Sequence, residues 1–275
     1  SLATLKVLPT PLDYSTLPTE DLKARILRRK EELNAVILGH NYQRIEIQDV
    51  SDYLGDSLGL SQEAAATDAD VIVFCGVHFM AETAKVLSVV KRVLMPDARA
   101  GCPMADFVTA DALRRLKAEH EGAAVVAYVN STAEVKAEAD VCCTSSNAVR
   151  VVESIPRDQP IIFVPDKNLA AYVAERTGRE NIIAWDGYCY VHDDMMQVEL
   201  DAVLQAHPEA KVVVHPEARK DLLDQNLLVI QLRKVGWLII PRKMTQLTIF
   251  YLQSEDLQDI IINLQNLPQS VRTRE

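Results

Sequence analysis

Basic residues are in deficit. The chain has 29 Lys and Arg against 39 Asp and Glu, a formal net charge of −10 with His counted neutral. That balance excludes a general nucleic-acid or polyanion binder, which needs a basic face. Long apolar runs are also missing. The longest, Val71 to Ala81, is about half a bilayer span and contains Gly76 and His78, so no membrane helix is expected. Ser1–Pro18 holds Pro9, Pro11 and Pro18 and no basic segment followed by an apolar one, and no signal peptide is read there. The expected location is cytoplasmic. The five cysteines (Cys75, Cys102, Cys142, Cys143, Cys189) include no CxxC pair, which excludes zinc-ribbon and thioredoxin-type sites. In a reducing compartment they are core residues or metal ligands. No Walker A, GxGxxG, GxSxG or HExxH pattern occurs.

What is present is alternation. The chain is 48% hydrophobic and 25% charged, an ordinary globular balance, and its 275 residues suggest one or two domains. Residues 20–34 read as an amphipathic helix, followed by a short apolar run, 35–38. Strand-like runs then fall at 71–74, 93–95, 124–129, 161–164, 181–185 and 211–214. Helical stretches fall at 57–67, 79–87, 109–119, 146–154, 168–176 and 193–206. Short β-branched runs separated by helices predict an α/β fold with parallel sheets. Phe79 and Met80 read as core, Cys75, Cys142 and Cys143 as strand-borne core thiols, and Arg28-Arg29-Lys30 as a solvated helix face.

A repeat organises these elements. Cys102 to Tyr128 and Cys189 to His215 are both 26 residues, and His40 to Ser57 and Tyr128 to Ser145 are both 17. Strand-end triplets recur about every 87 residues: Tyr128-Val129-Asn130, His215-Pro216-Glu217, and the Gly39–Tyr42 segment before them. The period predicts an N-terminal extension over 1–18, a first αβα repeat over 19–105, a second over 106–192, and a partial third over 193–275. The third loses the pattern. Leu232 stands where a Ser or Thr belongs, and 30 Ala in residues 1–225 give way to none in 226–275. The tail from about 226 is atypical, a pattern that a change of reading frame near codon 225 would produce.

The repeated positions carry the chemistry. Ligands bind beyond the carboxyl ends of parallel strands, where His40, Asn41, Tyr42, Tyr128, Asn130, His215 and Glu217 fall. His and Tyr suit proton transfer, and Asn suits holding a carboxylate or enolate oxygen. A lone histidine after a strand is more often structural, but the repeat strengthens the functional reading. Ser57 and Ser145, each read as preceding a helix, are either N-caps or anion-binding hydroxyls at helix N-termini. Cys102 and Cys189 sit in equivalent turns and are either small core residues or ligands converging on one metal or cluster. A thiol-redox role for Cys142-Cys143 is disfavoured because adjacent thiols make a strained disulfide.

Several stretches resemble the quinolinate synthase family: GHNYQRIEIQDVSDYLGDSLGLS (39–61), VHFMAETAKVL (77–87), PDARAGCPMAD (96–106), AYVNSTAEVKAEADVCCTSSNAV (127–149), PDKNLAAYVAERTG (165–178), GYCYVH (187–192) and VVVHPE (212–217). The resemblance covers about residues 20–225. It implies three αβα domains around a pseudo-threefold axis, the third incomplete or divergent here, with one cysteine from each domain on a 4Fe-4S cluster. It implies a transferase that condenses iminoaspartate with dihydroxyacetone phosphate to give quinolinate for NAD biosynthesis, beside L-aspartate oxidase as pathway neighbour, with no nucleic-acid or membrane partner. On the matching residues, Cys102 and Cys189 become metal ligands. His40, Ser57, Tyr128, Asn130, Ser145, His215 and Glu217 become the substrate pocket, with Tyr42, His215 and Glu217 catalytic.

The sequence departs from that pattern in its last part. The family's HPEC reads His215-Pro216-Glu217-Ala218, its Gly-Ser-Thr turn is absent at 230–232, and no third cluster cysteine follows. The alternative reading is an inactive or truncated homologue that retains only anion or dicarboxylate binding.

Overall fold

A computed structural model of the protein describes residues 14–206, 213–224, 228–229, 239–242 and 245–248. Residues 1–13, 211–212 and most of the tail, position 232 included, lie outside the described residues.

The first part of the chain runs α1 (Thr19–Glu32), β1 (Ala35–His40), α2 (Ile45–Gln48), β2 (Tyr53–Gly55), α3 (Ser57–Ala66), β3 (Val71–Cys75), α4 (His78–Leu87) and β4 (Arg92–Leu94). Its four strands are all parallel, in the order β2-β1-β3-β4. The second part repeats this plan with α5 (Ala110–Glu119), β5 (Ala124–Tyr128), α6 (Ala133–Ala137), β6 (Val141–Cys143), α7 (Ala148–Glu153), β7 (Ile161–Val164), α8 (Lys167–Thr177) and β8 (Ile182–Ala184). Its order, β6-β5-β7-β8, matches the first strand for strand. The α/β class read from the alternation is the class observed.

The strand sequences explain the layering. β5 and β7 are buried along their whole lengths, as strands covered on both faces must be. Alternate residues of the sheet go to opposite sides. Val126, Ile161 and Phe163 join Val152, Leu169 and Val173 from α7 and α8, while Val125, Ile162 and Val164 join Leu113 of α5. The first sheet buries Val36, Leu38, Ile72 and Phe74 against Leu60 and Ala64 of α3 and Phe79, Met80 and Ala84 of α4. By contrast α1 buries none of its residues, and its Glu20, Asp21, Arg29 and Lys30 complement the helix dipole.

A third group comprises α9 (Tyr190–Asp193), α10 (Gln197–Ala206), β9 (Val213–Val214), α11 (Lys220–Leu223) and β10 (Leu228–Val229), with β9 and β10 parallel. Met195, Leu200, Val214, Ala218 and Leu222 form its small core. In the tail, β11 (Ile239–Arg242) pairs antiparallel with β12 (Thr245–Thr248). Two intervening residues suffice for a hairpin and are far too few for a parallel crossover, so the parallel βα alternation stops here.

Several local expectations need correcting. The stretch 193–206 shortens to α10 (Gln197–Ala206), with Asp193 closing the separate α9, and 146–154 shortens to Ala148–Glu153. The N-cap of α3 is Asp56, whose carboxylate accepts the Gly59 N–H at 2.7 Å, and Ser57 is already inside the helix. Asn147 occupies the N-cap position of α7, leaving Ser145 in the turn before it. Cys75 and Cys143 are buried, but Cys142 is exposed on β6, because neighbouring residues of a strand face opposite ways. Lys30 is not free in solvent: it pairs with Asp52 at 2.6 Å.

Candidate functional site

Three strand ends supply one open pocket. His40 closes β1, Tyr128 closes β5 and His215 follows β9. Around them the pocket takes Tyr42, Asp56 and Ser57 from the first part, Asn130, Thr144, Ser145 and Ser146 from the second, and His192 and Glu217 from the third. Every residue the resemblance assigns to the pocket lines it, whereas Asn41, the other strand-end candidate, does not. Met80, expected in the core, is buried and also reaches the pocket wall.

The two strand-end histidines are built alike. His40 Nδ1 accepts the backbone N–H of Tyr42 at 3.2 Å, and His215 Nδ1 accepts that of Glu217 at 3.3 Å. An Nδ1 that accepts leaves the proton on Nε2 in the neutral ring. Burial works the same way, lowering both imidazoles to about 4, with Asp56 opposing the shift at His40 and Glu217 opposing it at His215. Both rings are neutral donors at physiological pH.

Glu217 is the centre of the third part's contribution. It is 2% exposed. One oxygen, Oε2, lies 2.8 Å from His192 Nδ1 and 3.7 Å from His215 Nδ1, and the two imidazoles stack with centroids 4.7 Å apart. The other oxygen, Oε1, is buried with no hydrogen-bond partner among the described residues. Desolvation disfavours its charge, but the two imidazoles and the Tyr128 phenol outweigh that and hold the carboxylate below its ordinary range. Desolvation and the charge of Glu217 push Tyr128 upward, and Tyr42 is raised by desolvation and then by Glu217, Cys189, Cys102 and Asp56. Both phenols stay protonated. Tyr42 keeps 43% of its surface exposed, part of it facing the pocket.

The two expected metal-ligand cysteines stand beside this pocket. Cys102 and Cys189 pack against the same core of the second sheet. Burial and then Cys189 lift Cys102 to about 11 against N–H bonds from Ala105 and Met104, while burial and then Glu217 push Cys189 upward. The ligand atoms of Cys189, His192 and Glu217 lie within 4.8 Å of one another. Cys189 supplies a thiol, His192 an imidazole and Glu217 a carboxylate with an unpartnered oxygen, a donor set suited to a thiophilic metal or an iron–sulfur group, with Cys102 outside that close group. Among the described residues the close donor group holds one thiol, that of Cys189, and Cys143 is buried in the core that Cys102 and Cys189 both pack against.

His192 was not anticipated from the sequence, nor were Asp56, Thr144 and Ser146. His192 has no counterpart in the repeat, but it lies three residues after Cys189 in Cys-Tyr-Val-His, and on one turn of helix that spacing places both side chains on one face.

Fold and site together define a parallel α/β protein with acid–base, hydroxyl and thiol groups converging at its strand ends. The profile of the family described as Quinolinate synthetase A protein (NadA) matches residues 24–246, and the chain belongs to that family. It is 56% identical over 206 residues to the quinolinate synthase of Desulforudis audaxviator, covering 75% of this chain and 68% of that protein. It is 55% identical over 205 residues to that of a Synechococcus strain, covering 74% and 64%. It is 54% identical over 211 residues to that of Trichodesmium erythraeum, covering 77% and 65%. The match thus spans about two thirds of each relative's own length.

Proposed function

We propose that the protein performs quinolinate synthase chemistry: condensation of iminoaspartate with dihydroxyacetone phosphate, with loss of phosphate and water, to give quinolinate in NAD biosynthesis. The observation that carries this reading is the meeting of His40, Tyr42, Ser57, Tyr128, Asn130, Ser145, His215 and Glu217 in one pocket. In that reading Ser57, Ser145 and Asn130 hold carboxylate and phosphate oxygens, which suits an acidic protein that needs its cationic or donor groups only locally. The Nε2–H groups of His40 and His215 donate to substrate oxygens without carrying charge. Glu217, ionised and buried, accepts a proton during enolisation, and the protonated phenols of Tyr42 and Tyr128 supply protons to departing or developing oxyanions.

Cys102 and Cys189 are the residues that would hold a 4Fe-4S cluster, which when bound supplies a Lewis acid for a substrate oxygen or nitrogen. Iminoaspartate would come from L-aspartate oxidase, and the site of action is the cytoplasm. No described helix is long and apolar enough to cross a membrane.

A second reading, dicarboxylate binding without turnover, is favoured by Ile230-Gln231-Leu232 standing where the family pattern has Gly-Ser-Thr. Anaerobic reconstitution with iron and sulfide, followed by a quinolinate assay, separates the two. Synthase chemistry gives a brown protein that forms quinolinate, and Glu217→Gln lowers kcat by about 100-fold or more, as expected for loss of a general base. A reconstituted chain that binds a dicarboxylate but makes no quinolinate above the protein-free background establishes the second reading instead.

A further inference from the structure

The loop that carries Cys189 is fastened to the turn after β7 by its backbone. The Lys167 N–H donates to Gly187 O at 2.7 Å, and Asp166 and Gly187 form an isolated parallel bridge. A Cβ on Gly187 would lie 2.4 Å from Pro165 O, so the approach needs glycine. One side chain joins this fastening. Asp166 is fully buried, and its carboxylate divides between two elements: Oδ1 accepts the Leu169 N–H at 2.6 Å, and Oδ2 accepts the Cys189 N–H at 3.0 Å. The first bond caps α8 in the ordinary way. The second contributes nothing to α8.

The repeat supplies an internal control. Before Cys102 the same backbone fastening occurs, with the His78 N–H donating to Ala100 O at 2.8 Å. There the position of Asp166 is held by Val77, which has no side-chain acceptor, so α4 has no side-chain cap and no side chain among the described residues accepts the Cys102 N–H. The carboxylate stands at one thiol only. Holding an N–H fixes the backbone of its residue, and with it the direction in which the side chain leaves.

We propose that Asp166 is a positioning residue for Cys189: by accepting the Cys189 N–H it holds that thiol against Glu217 and the pocket, a role separate from its capping of α8. The consequence for a bound cluster rests on the function proposed above; the positioning of the thiol does not.

The test is peptide-resolved alkylation of the unloaded full chain with iodoacetamide, comparing wild type with Asp166→Ser, Asp166→Asn and Asp166→Ala. Ser can still cap α8 with its single oxygen but cannot also hold Cys189. Losing a buried backbone hydrogen bond corresponds to about five- to tenfold in local opening. Asp166→Ser is therefore expected to unfold cooperatively near the wild-type midpoint while Cys189 alkylates about five- to tenfold faster and Cys102 changes less than about twofold. Asp166→Asn, with one acceptor oxygen, gives an intermediate rate and serves if the smaller residues do not fold. An unchanged Cys189 rate in a folded variant overturns the proposal, as does a parallel rise at Cys102, which marks general loosening. Iron retained after reconstitution is read separately: faster Cys189 alkylation with wild-type iron content leaves the positioning intact and removes Cys189 from the ligand set.

Discussion

At His40 the buried neutral imidazole links the site to stability. Its pKa of about 4 lies below the usual 6.5, so the unfolded chain takes up a proton first as pH falls. The stability this histidine contributes is complete above pH 6.5 and is lost as pH drops through its folded value. A depression of that size amounts to on the order of 3 kcal/mol at most. His215, shifted in the same direction, adds a second loss over the same window. Urea unfolding at pH 7.5 and pH 4.5 measures the sum. His40→Asn, whose side-chain oxygen can still accept the Tyr42 N–H, should remove about half of the pH dependence; an unaltered slope in that variant assigns the effect elsewhere. The histidines at 40 and 215 were legible because the repeat marks them. His192 was not, because a side chain without a repeat partner shows itself only through its contacts with His215 and Glu217.

At the scale of elements, strand β1 shows how tightly the pocket is tied to its sheet. Gly39 pairs with Leu54 of β2 and Cys75 of β3, one residue before His40. A Cβ there would meet Ser51 Oγ at 2.3 Å and Leu54 Cδ2 at 3.0 Å, and Ser51 Oγ is itself held by Ile47 O at 2.8 Å. Gly39→Ala must therefore move β2 or the segment before it, at a cost of about 1–3 kcal/mol for overpacking, read as a lowered urea midpoint at unchanged m. The same segment leads to Asp56 and Ser57, so affinity for a dicarboxylate should fall with it. Six of the eight strands in the two large sheets were legible as short apolar runs, with bounds within a residue or two, but β2 and β6 were not, being three-residue edge strands that are only partly buried. The helix starts were less so. Ser57 and Asp56 are both good capping residues, and only the bond from Gly59 to Asp56 decides between them.

The whole molecule depends on how its parts are joined, because the pocket has walls from all three. Between the first and second sheets the junction is α4 against α6. Glu82 Oε2 accepts the Ala133 N–H at 2.9 Å at the start of α6, and Lys136 Nζ donates to Thr83 Oγ1 at 2.8 Å while lying 5.4 Å from the Phe79 ring centroid. Burial lowers Lys136 to about 8, with Cys142 and Glu82 opposing it, so this cation is less firmly held than a surface lysine. None of these side chains lines the pocket. Glu82→Ala leaves the Ala133 N–H without its acceptor and Lys136 without a nearby counter-charge, which should cost about 1–2 kcal/mol. Its effect on function follows from geometry. His40 and Ser57 stand on one side of the junction and Tyr128, Asn130 and Ser145 on the other, so a ligand that bridges them must first bring the two sheets into register. Calorimetric titration with L-malate should then show affinity weakened by about five- to thirtyfold, matching that energy, with every pocket side chain still present. Lost stability at unchanged malate affinity would mean that α4 and α6 join the sheets without setting the spacing of the site.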